Sequence, residues 1–243
     1  MKYKVLALDL DGTLLDDKKN ISEENKKFLN KLTDKNIQVI FTTGRGIQRV
    51  THFYNELKLN SPLVLLNGAD IRINSNEILK RSFINPEDII KLHSLAIDKK
   101  VNFWGYSEDN FVKKKDWNAS MFDKRWMKFG FAHSDKEVIN NLREEIKMLE
   151  NIEMTNSTSD NIECSKKGIN KKTGMKFLAK HLKINMKDII AVGDSMNDYK
   201  LIKEVGLGVA MANSEKKLGS VADRVTKSNT NHGVAEVIKK YIL

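Results

Sequence analysis

Short apolar runs alternate along the chain with longer stretches in which apolar residues return every three or four positions. The runs are almost continuously apolar, which is typical of strands buried on both faces of a parallel sheet. They are VLALDL, IQVIFTT, LVLLNG, DIIAVGD and LGVAMA. Amphipathic helices are predicted for SEENKKFLNKLTDKN, with Ser22 at its N-cap, and for KTGMKFLAKHLKI. The alternation predicts an α/β fold, in which a parallel sheet carries helices on both faces.

The middle of the chain follows a different pattern. A helical stretch begins at Pro86, and then come the strand-like segments VNFWGY and NFVKK, a helix in DKEVINNLREEIKML, and two more strands in NIEMT and NIECS. All 3 tryptophans fall in this part of the chain. We therefore predict a catalytic core built from residues 1–82 and 166–243, and a smaller α+β cap domain formed by residues 83–165.

Length and composition set the class of protein. With 243 residues, 40% of them hydrophobic and 30% charged, the chain fits a globular protein of one large or two unequal domains. No stretch approaches the roughly 18 to 20 apolar residues of a membrane span, and Asp9 and Asp11 interrupt the first apolar run. The single cysteine, Cys164, can form no internal disulfide. We expect a cytoplasmic protein with no membrane contact, as a monomer or homodimer.

The formal net charge of +10 has three interpretations. It fits a nucleic-acid binder, an enzyme with an anionic small-molecule substrate, or lysines spread over solvated helix faces. The strongest candidate patch is KKKDWNASMFDKRWMKF, in which basic and aromatic side chains interleave. The same aromatic residues can instead line a cleft or pack the core of a small domain, so the sequence leaves the three interpretations open.

Two carboxylates interrupt the first apolar run where it ends. Asp9 and Asp11 are two positions apart and therefore project to one side of a strand, and Gly12 lets the chain turn away. Ligands of open parallel sheets bind at this edge, and neighbouring carboxylates repel unless a cation or a shared proton relieves them. The segment GDSMND places Asp194 and Asp198 after another strand. These oxygen donors predict Mg²⁺ rather than Zn²⁺.

Further polar residues at strand and helix ends suit a phosphate group. TTGR places the Thr43 hydroxyl and the Gly44 backbone at the same edge of the sheet, and GINKKTG supplies Lys171 to offset the charge of a phosphoryl group. Each signal is weak alone, because an Asp at a strand end is often a turn or cap residue. Asn67 of NGA can likewise simply enter a turn with Gly68.

In their order along the chain, these motifs resemble one known group of enzymes. DLDGTL, TTGR, NGA, GINKKTGMKFLAKHL and GDSMND are similar to the motifs of the haloacid dehalogenase-like superfamily, and specifically of its Cof-type phosphatases. The resemblance covers nearly the whole chain and includes the position of the cap between TTGR and GINKK. Two positions depart from it: Lys172 stands where relatives commonly carry glycine, and Met211-Ala212-Asn213 stands where they read MGN.

The resemblance implies a Rossmann-like core and a Mg²⁺-dependent phosphatase that acts on small phosphomonoesters, either sugar phosphates or related metabolites. Asp9 would form an aspartyl-phosphate, and Asp11 would serve as general acid and then general base. Thr43 and Lys171 would hold the phosphoryl oxygens, although Lys172 competes with Lys171 for this role. The other implied substrate or phosphate contacts are Gly44, Arg45, Asn67 and Asn197. The implied metal contacts are Asp9, Asp11, Asp194 and Asp198.

Two alternatives remain beside hydrolysis. Phosphomannomutases share the core and the cap position but return the phosphoryl group to a sugar, so the ratio of hydrolysis to transfer separates them from phosphatases. A nucleic-acid or regulatory binding module on the same fold is the other alternative. The complete set of catalytic residue types argues against such a module, so we expect a small phosphorylated metabolite as partner and no nucleic acid.

Overall fold

Two β-sheets dominate the computed structural model of the protein, which describes residues 2–33, 35–156, 158 and 160–243. The strands are β1 (Val5–Leu8), β2 (Gln38–Thr42), β3 (Leu63–Leu65), β4 (Asp70–Arg72), β5 (Ile78–Arg81), β6 (Asn102–Ser107), β7 (Phe111–Lys113), β8 (Trp126–Ala132), β9 (Ile152–Thr155), β10 (Asn161–Lys166), β11 (Ile189–Gly193), β12 (Leu207–Ala210) and β13 (Arg224–Val225). The helices are α1 (Glu23–Thr33), α2 (Thr51–Glu56), α3 (Pro86–Asp98), α4 (Lys136–Lys147), α5 (Lys171–His181), α6 (Tyr199–Ile202), α7 (Lys216–Gly219) and α8 (Gly233–Tyr241). Among these residues, none of the helices has the length and apolar character needed to cross a bilayer.

The larger sheet has the strand order β13-β12-β11-β1-β2-β3-β4-β5. Its first six strands are parallel, as the apolar runs predict. The last two, β4 and β5, add an antiparallel hairpin at the edge that the sequence pattern does not reveal. Every residue of β5 is exposed or half-buried, so this strand lacks the continuous apolar run of a central strand.

Helices cover both faces of this sheet, and this confirms the predicted architecture. Residues of β1 alternate between the two faces: Leu6 and Leu8 lie in one buried cluster, and Val5 and Ala7 lie in another. The first cluster includes residues of α1, α2 and α8, and the second includes residues of α5, α6 and α7. The Ser22 hydroxyl accepts a hydrogen bond from the Asn25 amide at 3.3 Å, as expected for the start of α1.

The smaller sheet is antiparallel, with the order β7-β6-β8-β10-β9. Residues of α3 and α4 share one buried cluster with alternate residues of its strands. The central strand β8 was missed by the sequence analysis, because its residues fall partly in the stretch that we considered as a basic and aromatic patch. All elements of this sheet and its two helices lie between residues 86 and 166, while the domain boundaries near Ser82 and Ser165 stay a prediction.

Aromatic side chains of that stretch pack inside the cap. Trp117 stacks on Trp126 with ring centroids 4.4 Å apart, and Trp117 also meets Phe103 and Phe129 edge to face at 5.5 Å. Trp126 is 1% exposed. These rings therefore stabilise the cap core. Trp104 differs, because it lines the cavity between the two sheets.

Candidate active site

The carboxyl ends of neighbouring parallel strands bring the predicted acidic residues together. β1 pairs with β11 in a register that sets Leu8 beside Val192, so the loops that follow both strands start at the same edge of the sheet. Asp9, Asp194 and Asp198 each offer a carboxylate oxygen, and these oxygens all lie within 4.8 Å of one another. The strand ends thus gather three carboxylates into one small volume.

Lys171 is the cation at the centre of this carboxylate cluster. Its Nζ donates to Asp9 Oδ1 and to Asp198 Oδ1, both at 2.7 Å, and the side chain is 0% exposed. Lys171 is the first residue of α5, and the Asn170 and Thr173 side chains form a capping box around it. Lys172 instead pairs with Glu204 at 3.0 Å. Of the two lysines, Lys171 is therefore the one that reaches the carboxylates.

Asp198 orders the loop after β11. Its Oδ2 accepts hydrogen bonds from the backbone amides of Asp194 and Ser195 at 3.2 and 3.3 Å. The residue immediately precedes α6, yet its side chain makes no capping bond to that helix. A Cβ on Gly193 would lie 2.3 Å from the Asp198 carboxyl carbon, so the strand must end in glycine to admit this side chain.

The cluster carries more negative than positive charge. Burial is the largest cause that raises the pKa of Asp9 to about 7, with Lys171 acting against it and Asp198 adding to it. Burial and then the Asp9 carboxylate raise the pKa of Asp194 to about 8. One lysine thus faces three carboxylates in a buried site. Three carboxylates with a single lysine among them could therefore hold a divalent cation through their oxygen atoms.

At Lys171, burial and the neighbouring carboxylates have opposite effects on the pKa. Desolvation disfavours its charged form, but the Asp198 and Asp9 carboxylates outweigh that effect and raise the pKa of the ammonium group. Lys171 is therefore a permanent cation at neutral pH. A fixed positive charge next to Asp9 suits the binding of an anionic phosphate.

Gly12 brings the loop after β1 against the loop after β11. Its φ is +73°, a left-handed conformation that favours glycine, and a Cβ there would lie 2.3 Å from Asp194 Oδ2. The Gly12 carbonyl accepts a hydrogen bond from the Asn213 side chain at 2.8 Å. Asn213 therefore supports the first motif even though Ala212 replaces the glycine common in relatives.

Asp11 is held by two cations. The Arg45 guanidinium donates two hydrogen bonds of 2.6 Å to its two oxygens, and Lys19 donates one of 2.8 Å. Burial would raise the pKa of Asp11, but these two partners lower it to about 2. In this structure the Arg45 side chain, predicted as a phosphate contact, is therefore paired with the Asp11 carboxylate. Lys19 was missed by the sequence analysis, because it lies in a polar turn without a motif.

Of the predicted phosphate contacts, Thr43 and Asn197 line the cavity next to Asp9, and Asn67 is hydrogen-bonded to both. The backbone carbonyl of the buried Thr43 accepts a hydrogen bond from the backbone N–H of Asn67 at 3.0 Å. Asn67 has a φ of +56° and Gly68 one of +99°, so the Asn-Gly pair does form a turn. The Asn67 side chain also accepts from Asn197 at 3.5 Å and donates to Glu163 Oε2 at 2.8 Å. Asn67 thus links the core to the cap.

Two charged residues of the cap reach this site and were missed by the sequence analysis. Lys128 Nζ donates to the Gly44 carbonyl at 2.8 Å and pairs with Glu163 Oε2 at 2.7 Å. Burial lowers the pKa of Lys128, with Glu163 acting against it. The available signal was the presence of a charged residue within each of the otherwise mostly apolar segments MKFGF and NIECS.

A cavity of about 420 Å³ lies between the core and the cap. The core lines it with Asp9 and Asp11, and the cap lines it with Trp104, Tyr106 and Lys128. Other residues around it are Lys19, Thr43, Gly44, Arg45, Arg49, Phe111, Thr158, Asn161, Glu163, Ser195 and Asn197. The carboxylate cluster is therefore open to a small ligand that also touches the cap.

Comparison with known proteins identifies this arrangement. A family model of haloacid dehalogenase-like hydrolases matches residues 6–128 and 107–238. A 5-amino-6-(5-phospho-D-ribitylamino)uracil phosphatase of Bacillus subtilis is 35% identical over 240 residues, which are 99% of this chain and 96% of that protein. A phosphoglycolate phosphatase of Methanobrevibacter smithii is 30% identical over 254 residues, with 100% of both chains covered.

A solved structure of a haloacid dehalogenase-like hydrolase from Bacteroides thetaiotaomicron superposes with a TM-score of 0.84 at 26% identity, covering 98% of this chain and 99% of that one. The class of protein is therefore a phosphoric monoester hydrolase with a capped α/β core. Within this class, the chain belongs to the haloacid dehalogenase-like hydrolase family and is of the Cof type, as its motifs predict.

Proposed function

We propose that the protein is a Mg²⁺-dependent phosphatase that hydrolyses small phosphomonoesters through an aspartyl-phosphate. The observation that carries this proposal is the buried Lys171 between Asp9 and Asp198, with Asp194 alongside. Lys171 occupies Asp9 Oδ1, so the second oxygen of Asp9 attacks phosphorus while the ester oxygen leaves. Water then attacks the phosphorus of the intermediate and restores the Asp9 carboxylate.

The metal would be held by the carboxylates of Asp9 and Asp194 together with the backbone carbonyl of Asp11, and Asp198 would support it from beside them. When bound, Mg²⁺ supplies positive charge that reduces the repulsion between the Asp9 carboxylate and the phosphate. The fixed positive charge of Lys171 reduces the same repulsion. Gly193 and Gly12 let the two loops approach closely enough to form this site.

Asp11 protonates the leaving oxygen and later takes a proton from the attacking water. Its pairing with Arg45 and Lys19 favours the carboxylate, since these partners lower its pKa to about 2. Asp11 can donate a proton only after Arg45 turns away from it. A substrate phosphate is a suitable anion to receive Arg45 in exchange. Thr43, Gly44, Asn67 and Asn197 complete the proposed phosphate contacts.

The substrate would be a small phosphorylated metabolite, such as a sugar phosphate or a related ester. The relatives support this size of substrate, since one is named for a phosphorylated ribitylaminouracil and another for phosphoglycolate. We further propose that residues 83–165 act as the cap that contacts the leaving group, because that segment supplies Trp104, Tyr106 and Lys128 to the cavity. The buried free thiol of Cys164 suits a cytoplasmic location.

The test measures phosphate release from sugar phosphates, nucleotides, pyridoxal phosphate and flavin mononucleotide. We expect hydrolysis that stops with EDTA and returns with Mg²⁺ but not with Zn²⁺. Asp9→Asn should lower kcat by roughly 10⁴-fold while the protein stays folded, because the nucleophile is lost. Asp116→Asn, on an exposed cap residue, is the matched control and should keep full activity. Near-normal turnover by Asp9→Asn would exclude the aspartyl-phosphate.

A further inference from the structure

A carboxylate of the cap joins two core elements that carry residues of the candidate active site. Glu153 lies on β9, and the residue is 9% exposed. Its Oε1 accepts hydrogen bonds from the Asn170 side chain at 3.2 Å and from the Lys200 ammonium group. Asn170 immediately precedes Lys171 at the start of α5. Lys200 lies on α6, two positions after Asp198, so one oxygen atom of the cap contacts the start of both helices.

The same carboxylate decides how the side-chain amide of Asn170 is oriented. A carboxylate can only accept hydrogen bonds, so the NH₂ group of Asn170 faces Glu153 and its oxygen faces the helix. That oxygen accepts from the Thr173 backbone N–H at 3.1 Å and so caps α5. The second oxygen of Glu153 accepts from the Gly168 backbone N–H at 3.3 Å, in the segment between β10 and α5. Glu153 thus fixes the chain on its approach to Lys171.

A second link between the same two elements runs through the active site. Lys171 Nζ donates to Asp198 Oδ1 at 2.7 Å and so joins the start of α5 to the loop before α6. Glu153 joins these two elements again, from the cap. The separation of Lys171 and Asp198 is therefore held by two independent sets of contacts.

Glu153 makes its contacts outside the catalytic cavity. Glu153, Asn170 and Lys200 line a second cavity, of about 270 Å³. Among the described residues, none of these three lines the cavity that contains Asp9. Contact with the substrate therefore does not account for the buried Glu153 carboxylate, whereas its hydrogen bonds to the core do.

We infer that Glu153 is a positioning residue for the proposed phosphatase reaction. It holds Lys171 and Asp198 at the separation that Asp9 and the metal require. The cap therefore helps to assemble the reactive groups of the core as well as covering them. This inference rests on the proposed function and adds to it a role for a cap residue that touches no reacting atom.

Glu153→Ala removes all three hydrogen bonds and is the direct test. We expect kcat to fall by about tenfold, because a small displacement of Lys171 or Asp198 weakens its contacts in the transition state. KM should stay within about twofold of the wild-type value, since the lining of the catalytic cavity is unchanged. Calorimetric titration should show an affinity for Mg²⁺ lowered by about threefold to tenfold, because Asp198 is displaced.

A conservative variant and a matched control separate positioning from a general loss of stability. Glu153→Gln keeps an oxygen that can accept from Asn170 but loses the charge that pairs with Lys200, so its kcat should lie between those of Glu153→Ala and the wild type. Glu145→Ala is the control, because Glu145 pairs with Lys99 at 2.6 Å within the cap. That variant should keep the wild-type kcat and Mg²⁺ affinity. Circular dichroism checks that each variant is folded.

Variants of α6 test the same contact from the core. The Lys200 side chain is 55% exposed, so Lys200→Met should fold even if Glu153→Ala does not. It should lower kcat by about threefold, whereas Lys203→Met, on an exposed lysine three positions further along, should keep the wild-type value. The double variant Glu153→Ala/Lys200→Met should have the kcat of Glu153→Ala, because the first change already breaks the contact.

The outcomes separate this inference from the proposed function. Wild-type kcat and Mg²⁺ affinity in folded Glu153→Ala overturn the inference and leave the phosphatase intact. If that variant does not fold, wild-type kcat in Lys200→Met does the same. A loss of kcat in Glu145→Ala equal to that in Glu153→Ala also overturns it, because any weakening of the cap would then have this effect. No phosphate release by the wild type in the presence of Mg²⁺ overturns the proposed function, and the inference with it.

Discussion

Gly12 sets how closely the two acidic loops of the active site approach each other. We expect Gly12→Ala to lower the affinity for Mg²⁺ and to lower kcat by at least about tenfold, because the new methyl group would meet Asp194 Oδ2 at 2.3 Å. Calorimetric titration with Mg²⁺ and steady-state phosphate release measure the two effects.

Gly168 provides a matched control for this substitution. Its φ is +80°, close to that of Gly12, but a Cβ there would meet no atom within 4 Å. Gly168→Ala should therefore cost about 1 kcal/mol of backbone strain and leave the Mg²⁺ affinity unchanged. If both variants bound Mg²⁺ like the wild type, the contact with Asp194 would have no part in building the site.

The residues of the candidate site differ in how far sequence could predict them. Asp9 and Asp194 follow apolar strands within motifs, so their convergence could be read from the chain. Lys128 and Glu163 meet core groups that are 84 and 96 positions away, and only the docking of the cap creates those contacts. Sequence also cannot tell which anion Arg45 pairs with, and the structure shows the Asp11 carboxylate.

At the scale of elements, the start of α5 determines where Lys171 lies. The Asn170 side chain accepts a hydrogen bond from the Thr173 amide at 3.1 Å. Asn170→Ala should cost about 1 kcal/mol in the free energy of unfolding. It should also lower kcat, because the first turn of the helix carries Lys171. Urea unfolding and steady-state kinetics measure the two effects.

Asn185→Ala is the control for this capping variant. Asn185 caps the short helical turn Met186–Asp188 through the Lys187 amide at 2.9 Å, away from the cavity. Its loss should also lower stability but should leave kcat at the wild-type value. Equal losses of kcat in both variants would mean that stability alone, and not the position of Lys171, explains the effect.

The aromatic cluster of the cap predicts a dependence of stability on pH. His93 stacks on Trp117 at 5.4 Å, and burial lowers the pKa of His93 from its usual 6.5. The unfolded chain therefore takes up this proton at a higher pH than the folded one. The stability contributed by the neutral ring is present above about pH 6.5 and is lost as the pH falls through the lower, folded pKa.

We expect the melting temperature of the His93→Gln variant to fall less than that of the wild type when the pH is lowered from about 7 to about 5. Scanning fluorimetry measures this difference. His52→Gln is the matched control, since the His52 side chain is 82% exposed. That variant should keep the wild-type slope. A slope in His93→Gln as steep as that of the wild type would contradict the role given to burial.

Elements with one dominant pattern could be predicted, and those with mixed patterns could not. β1, β2, β11 and β12 are buried apolar runs, and α5 is amphipathic. β8 mixes Lys128 with aromatic residues because one face borders the cavity and the other borders the cap core. A strand with two different surroundings has no simple hydrophobic period, and so the central strand of the cap escaped prediction.

At the scale of the whole molecule, polar contacts join neighbouring strands of the cap to the core. Glu163 of β10 accepts a hydrogen bond from the Asn67 side chain. Glu153 of β9 pairs with Lys200 of α6 and accepts a hydrogen bond from the Asn170 side chain at 3.2 Å. Burial would raise the pKa of Glu153, but Lys200 lowers it and keeps the carboxylate charged. Tyr106 and Met127 of the cap also belong to the apolar cluster of the core, so polar and apolar contacts together fix where the cap lies over the site.

The position of β1 between β2 and β11 also fixes the order in which the molecule can assemble. Leu8 pairs with Phe41 soon after synthesis, but its other neighbour, Val192, is translated only after the entire cap. Contacts within the cap are more local, so the cap can fold while one edge of β1 still lacks a partner. Pulsed hydrogen exchange should therefore find the amides of β8 protected before those of β11. Until β11 arrives, a nascent chain carries an open, apolar strand edge, and that edge is where we expect premature association between chains.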